Sequence, residues 1–264
     1  MHGHSDSEIA IALSVFLWEV RIMLGRSITE TASAPAWNTD ELARINKSFR
    51  ERSAEDLLDW ATARFGQQIV LTCSFGGASG MVLLDMIARI GCGTPVVFLD
   101  TDLLFPETYA LAEAAARRYG VAIERHRPVL TLDEQEIQEG ARLYERDPDR
   151  CCGIRKVAPL ADALRPYRAW ISGIRRDQSS TRAGTELVQW SARHNLLKVN
   201  PLAYWTERDV WRYVHANQVP YNPLLDSGYA SLGCGPCTRQ SDAGEDLRAG
   251  RWAGFAKTEC GIHV

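Results

Sequence analysis

Short apolar runs alternate with stretches of helical periodicity along most of the chain. Residues 68–73 (QIVLTC), 96–100 (VVFLD), 121–127 (VAIERHR), 169–175 (AWISGIR) and 196–202 (LLKVNPL) are brief and rich in branched apolar residues, the pattern of strands. Between them, residues 54–65 set Leu57, Leu58 and Ala61 at helical spacing, with Trp60 and Phe65. Residues 81–90 set Leu83, Met86, Ile87 and Ile90 at i, i+3, i+4 and i+7. Residues 106–119 form an Ala-rich helix that stops at Gly120, and 206–217 a helix with Thr206 as its N-cap. Strands that alternate with helices predict βαβ units: an α/β fold with a mostly parallel sheet and flanking helices.

The ends of the chain read differently. Residues 9–24 are apolar but short for a membrane span, and they contain Glu19 and Arg21, so a docking helix or an upstream extension is expected rather than an anchor. Residues 27–35 have the small, polar composition of a linker. From about Gly233 the strand signal is lost, and Gly, Arg and Cys dominate. Three parts are therefore expected: an extension over 1–35, an α/β body over 36–232 and a functional tail over 233–264.

Composition adds exclusions. With 264 residues, 45% hydrophobic and 24% charged, the chain can bury a core without disulfide staples. A net charge of −3 gives no electrostatic reason to expect nucleic-acid binding, so any anion site must be built locally. Seven cysteines, an odd number, and no Lys or Arg ahead of the first apolar run argue against a secreted disulfide framework. A reducing, cytoplasmic setting is expected, with cysteines used for metal or catalysis.

Candidate chemistry lies in three places. The first is CSFGGASG (73–80), a loop between a strand and a helix. Gly76, Gly77 and Gly80 permit close backbone approach, the helix N-terminus directs N–H groups at the loop, and Ser74 and Ser79 add hydroxyls. This suits phosphate or sulfate, although a plain tight turn also needs such glycines, and it is neither a Walker motif nor GxGxxG. The next strand end, Asp100-Thr101-Asp102, falls on the same sheet edge. Cys73 reads as a buried apolar residue and Cys92 as a loop thiol.

The second is a set of four cysteines: the tandem Cys151-Cys152 and the CxxC pair Cys234 and Cys237. Four thiolates suit zinc or an iron–sulfur cluster. Adjacent cysteines reach one group only on helical or turned backbone, and a wide cluster accommodates them better than one zinc ion. Unrelated thiols, or a vicinal disulfide with a redox CxxC, are the alternatives. On a helix, Lys156 shares a face with Cys152. The third is the tail KTECGIHV, where Cys260 lies near Lys257 and His263 and has the surroundings of a nucleophilic thiol. Arg248 and Arg251 share a face if helical, and a second basic run covers 173–182. Guanidinium groups bind oxyanions bidentately, which points to a small, highly anionic substrate.

These motifs together resemble the iron–sulfur-containing adenylylsulfate (APS) reductases, thioredoxin-dependent enzymes of assimilatory sulfate reduction. The matching pieces are CCGIRK (151–156), CGPCTR (234–239), LDT (99–101), GIRRDQS (173–179) and ECGIH (259–263), and the likeness spans about residues 40–264. It implies an adenine-nucleotide α-hydrolase-like (PP-loop-like) domain with a mobile catalytic tail. It implies a [4Fe-4S] cluster on Cys151, Cys152, Cys234 and Cys237, and Cys260 as the nucleophile that attacks the sulfur of APS. AMP leaves, and a thioredoxin or glutaredoxin-like donor releases sulfite for cysteine biosynthesis. Lys156, Arg248 and Arg251 fall at family positions near the phosphosulfate, and His263 belongs to the terminal motif. Asp100, Thr101, Arg175 and Arg176 match nucleotide contacts, beside the loop residues Ser74, Gly76, Gly77 and Ser79. Many members carry Ala-Glu-Asp where this chain has Ala78-Ser79-Gly80.

Rival readings make distinct demands. A 3′-phosphoadenylylsulfate (PAPS) reductase typically lacks the four cluster cysteines, although dual substrate use is compatible with them. An ATP pyrophosphatase or tRNA-thiolating protein needs an Asp that CSFGGASG lacks. An iron–sulfur redox sensor gives Cys260 no role. Neither a membrane nor a nucleic acid is an expected partner, and a homo-oligomer is compatible with these features.

Overall fold

Strands β1 (Ile69–Thr72), β2 (Val96–Leu99), β3 (Ile123–His126), β4 (Ala169–Ile171), β5 (Val188–Ser191) and β6 (Leu196–Val199) form one sheet in the computed structural model, which describes residues 37–242 and 244–263. The spatial order is β3-β2-β1-β4-β6-β5. Every pairing is parallel except β5 with β6, which run antiparallel with Trp190 opposite Leu197. The mostly parallel α/β architecture is thus present. The extension over 1–35, with its apolar run and linker, lies outside the described residues. No helix among the described residues is long and apolar enough to cross a membrane.

The central strands are apolar on both faces because both faces are covered. On one face, Ile69, Leu71, Val96, Phe98, Ile171 and Val199 pack with helices α1 (Thr39–Phe49), α2 (Ala54–Phe65), α3 (Ala78–Ile90), α4 (Pro106–Tyr119) and α9 (Glu207–Asn217). Each such side chain contributes roughly 1.5–3 kcal/mol by leaving water. On the other, Val70, Val97, Trp170 and Leu196 pack with Leu160, Ala163 and Leu164 of α8 (Ala158–Leu164), and Ile262 of the tail joins them. Between β3 and α8 lie α5 (Leu132–Glu139), α6 (Leu143–Arg146) and α7 (Pro148–Cys152).

Local chemistry sets the helix ends. Thr206 caps α9 through a reciprocal box: its hydroxyl accepts from the Asp209 N–H, and Asp209 accepts from the Thr206 N–H at 2.9 Å. α4 ends at Gly120, whose φ of +62° suits a residue without Cβ. Behind the glycine-rich loop, the buried Asp85 of α3 accepts from Arg89 (2.7 Å), Tyr213 of α9 (2.9 Å) and Tyr119 of α4 (3.1 Å). Two helices, α4 and α9, are thereby pinned to the helix that begins at the loop.

Three expectations need correction. The strands over 169–175 and 196–202 stop at Ile171 and Val199, where the chain leaves the sheet to form the site. The helix expected over 81–90 begins at Ala78, so the end of the glycine-rich segment is its first turn. Arg248 and Arg251 do not lie on a helix; residues 247–250 form a turn, and Arg251 bridges Thr238 in antiparallel fashion.

Candidate active site

The site is built where β1, β2 and β4 release the chain. After β1 the backbone turns at Phe75, which has a φ of +53° and is fully buried. Phe75 packs edge-on against Phe98 at 5.1 Å, and its carbonyl accepts from Asn222 Nδ2 at 3.1 Å. Those contacts hold a conformation that a bulky residue otherwise avoids. Gly77 then caps α3 without a side-chain acceptor, leaving the first-turn N–H groups and the positive dipole end directed at the loop. A Cβ on Gly80 would stand 3.0 Å from Cys73 Sγ, so the departure at 78–80 fits a tightly packed turn. Cys73 is buried as expected, and burial pushes its thiol up to about 12.

A cavity of about 280 Å³ opens beside this loop. Ser74, Gly76, Gly77 and Ser79 line it from the loop side, and Lys156, Arg175, Arg248 and Arg251 from elsewhere. Cys260 and His263 of the tail line the same cavity. The buried Arg175 donates to Ser79 Oγ at 2.5 Å and to both carboxylate oxygens of Asp177 at 2.9 and 3.2 Å. It therefore reaches the loop with its charge partly neutralised.

Asp100, Thr101 and Arg176 are not among the lining residues. Asp100 is buried and accepts from Tyr109 (2.7 Å), Arg125 (2.5 Å) and Arg127 (3.1 Å), contacts that hold its carboxyl below the usual range against the effect of burial. Arg176 donates to Glu186 and lies over the Tyr204 ring at 4.2 Å. Thr101 instead puts its hydroxyl 3.3 Å from Cys234 Sγ.

Cys151 and Cys152 close α7, and the chain continues as a π-helical turn (Gly153–Val157) before α8. Cys234 and Cys237 flank a short 3₁₀ turn. All four thiols are free, and Cys237 feels the charge of each of the other three. Burial pushes Cys151 up to about 11 and Cys237 up to about 12. Burial also opposes ionisation of Cys234, but Lys156, the Thr101 hydroxyl and Arg251 outweigh it and lower its thiol. Lys156 is itself buried; desolvation would lower it, and the thiols around it raise it instead. Among the described residues, no three His, Cys, Asp or Glu side chains converge closely enough to hold one metal ion. Four soft donors on two turned segments, with an ammonium among them, fit a wider metal–sulfur group.

Arg155 joins these segments and was not apparent from the sequence. It is fully buried and donates to Thr101 O (2.6 Å), Gln135 Oε1 (3.1 Å), Asp102 Oδ2 (2.5 Å) and Leu130 O (3.3 Å). The loop it grips also carries Leu103, whose carbonyl accepts from Gly235 N–H at 2.7 Å. Trp252, equally unanticipated, is buried with Arg251 (4.5 Å), Lys257 (5.3 Å) and Arg248 (5.6 Å) near its ring.

The tail lies against the body. Glu259 accepts from Arg182, and Gly261 O accepts from Arg193 Nη1 at 2.8 Å. His263 stacks on Trp170 at 5.4 Å with an interplanar angle of 11°. Burial and the neighbouring Lys198 and Arg182 hold its imidazole well below the usual range, and its Nδ1 is buried without a partner. Cys260 is half-buried here rather than exposed. Burial similarly lowers Arg248, to about 10.

Arg251 depends on a residue with no side chain. A Cβ on Gly233 would stand 2.0 Å from Arg251 Nη2 and 2.3 Å from its Cζ. Gly233→Ala is expected to push this guanidinium out of the cavity. An anion bound there should weaken roughly 10- to 100-fold, the worth of a charged hydrogen bond. Calorimetric titration with inorganic phosphate and sulfate, beside a melting curve that stays within a few degrees of the parent, checks it.

The chain matches the model of the phosphoadenosine phosphosulfate reductase domain over residues 68–240. It is 46% identical over 233 residues to the adenosine 5′-phosphosulfate reductase of Salinibacter ruber, covering 88% of this chain and 92% of that one. It is 50% identical over 212 residues to that of Oceanobacillus iheyensis, covering 80% and 88%. Among solved structures it resembles a phosphoadenylyl-sulfate reductase from Candida auris, a phosphate complex, with a TM-score of 0.68 and 30% identity over 76% of this chain and 98% of that one. The FMN adenylyltransferase of Candida glabrata, at 16% identity and a TM-score of 0.53 over 82% and 72%, shares the fold. The chain therefore belongs to the phosphoadenosine phosphosulfate reductase family.

Proposed function

We propose that the protein is an adenylyl-sulfate reductase acting in sulfate assimilation. The observation that carries this is one cavity lined by a glycine-rich helix N-terminus, by Lys156, Arg175, Arg248 and Arg251, and by the tail thiol Cys260. A thiolate that shares a cavity with this many cations suits an anionic electrophile.

In this reading the loop and Arg175 bind the nucleotide side of APS, and Lys156, Arg248 and Arg251 hold its phosphosulfate. The Cys260 thiolate attacks sulfur. The S–Sγ bond forms as the S–O bond to phosphate breaks, and AMP leaves with that electron pair. The cations stabilise charge growing on the phosphate. A dithiol protein of the thioredoxin or glutaredoxin class then attacks Cys260 Sγ. A mixed disulfide forms, sulfite departs, and the partner's second thiol restores Cys260 as the partner becomes a disulfide. Cys151, Cys152, Cys234 and Cys237 would hold a [4Fe-4S] cluster, and what it supplies when bound is local charge beside Lys156. The reducing cytoplasm suits both the free thiols and such a donor.

Intact mass of anaerobic, reduced protein mixed with APS tests the reading. We expect a gain of one SO₃, mapped to the peptide that contains Cys260 and removed by thioredoxin. No adduct on iron-replete protein would overturn direct attack. An adduct with PAPS alone would reassign the substrate.

A further inference from the structure

We propose that Glu259 and Arg182 form a clamp that positions the Cys260 thiol in the cavity; this rests on the reading of Cys260 as the attacking group. Arg182 meets the carboxylate with two parallel bonds, Nε to Oε1 and Nη2 to Oε2, both 2.8 Å. Thr181 Oγ1 donates to Oε1 at 3.1 Å, Ser179 Oγ to Oε1 at 3.4 Å and Arg248 Nη2 to Oε2 at 3.2 Å. The Arg182 and Glu259 side chains are each only 10% exposed. Burial opposes ionisation of Glu259, and Arg182 more than offsets it.

The location gives the pair its consequence. Glu259 is bonded to Cys260 through one peptide, so fixing its carboxylate fixes the backbone that carries the nucleophile. On the other side of Cys260, the bond from Arg193 to Gly261 O holds the chain again. Residues 253–256, just upstream, are exposed and supply no comparable grip. An exposed ion pair would add little, but removing one partner of a buried bidentate pair strands the other charge. Arg182 lines the cavity, but its Nε and Nη2 are committed to Glu259 and its Nη1 to Gln178 Oε1, so it acts through the tail rather than on the substrate. It is a positioning residue.

The test uses the full-length, iron-replete protein and the variants Arg182→Met, Glu259→Gln, Glu259→Asp and the Met/Gln double. One arm reads the single-turnover rate of SO₃ transfer from APS. Each non-conservative single variant should slow it roughly 10- to 100-fold at saturating APS, the usual cost of misplacing a reacting group by about 1 Å. The APS concentration for half-maximal rate should stay within about twofold, as expected of an interaction that serves orientation and not uniform binding. The double variant should be no slower than the slower single, and Glu259→Asp should recover part of the rate. The other arm needs no substrate. Lys257, 5% exposed and paired with Asp149, is a tryptic site at the base of the clamped segment. Cleavage after Lys257 should speed up by at least about tenfold in both singles, because proteolysis tracks the open population. Unchanged cleavage, additive rate losses, or a raised APS requirement at unchanged rate would each overturn the clamp. If wild-type protein forms no adduct with APS, the reading of Cys260 falls, while the tryptic arm still decides the clamp.

Discussion

Cys260→Ser is expected to abolish sulfite production, with a loss of about 10⁴-fold or more, as when other enzymes lose a nucleophile. A serine hydroxyl is far less ionised near neutrality than a thiol, so it is a much poorer nucleophile. His263 lines the same cavity, but burial and the neighbouring Lys198 and Arg182 make its imidazole a weak base, and its ring stacks on Trp170. The variant should take up no SO₃ from APS, even over hours. It should still bind APS within about twofold of wild type, because the cations that line the cavity are untouched and carry most of the anion's binding. Iron content should also be unchanged, since the four other patterned cysteines remain. This separates a reductase from an iron–sulfur sensor. A sensor would keep its full response without Cys260, and turnover that survives the substitution would remove Cys260 from the chemistry.

What the sequence revealed and what it hid divide along physical lines. β1, β2 and β4 were legible because strands covered on both faces need continuous apolar residues. β5 was not: Val188–Ser191 (VQWS) is four residues long, half-buried beyond Val188, and paired on one side. The π turn after Cys152 has no periodicity of its own, yet it carries Lys156 towards both Cys234 and the cavity. The chemistry-bearing motifs were readable as spacings, but their partners were not. Arg182 stood in a visible basic run, and its carboxylate lies 77 residues away. Asp100 ends a strand on the ligand-binding edge, where a substrate contact was the natural expectation. Arg125 of the neighbouring β3 and Arg127 just after it engage it instead. Local pattern announces elements and reactive groups; pairings between distant segments decide which groups are free to act.

Lys156→Ala should produce the second-largest loss, roughly 10²- to 10³-fold in the rate of SO₃ transfer, the range for removing a preorganised group that stabilises developing charge. Lys156 lines the cavity, lies close enough to Cys234 for its charge to favour that thiolate, and is nine-tenths buried. A buried ammonium that water does not screen acts on a leaving phosphate more strongly than a surface lysine would. It also offsets the negative charge gathered at the cysteines, so its removal has two separable consequences. Loss of charge on the substrate side slows transfer; loss of charge on the cysteine side loosens whatever the thiolates hold. Iron analysis and visible absorbance distinguish them. Full iron with slow transfer places Lys156 on the phosphosulfate, whereas iron lost in proportion to activity places it with the cysteines. Lys156→Arg keeps the charge but must fit a branched, planar head into the same buried space, so it should recover only a small part of the rate. Recovery to wild-type rate would mean that charge alone is required there and that the shape of the ammonium head is dispensable.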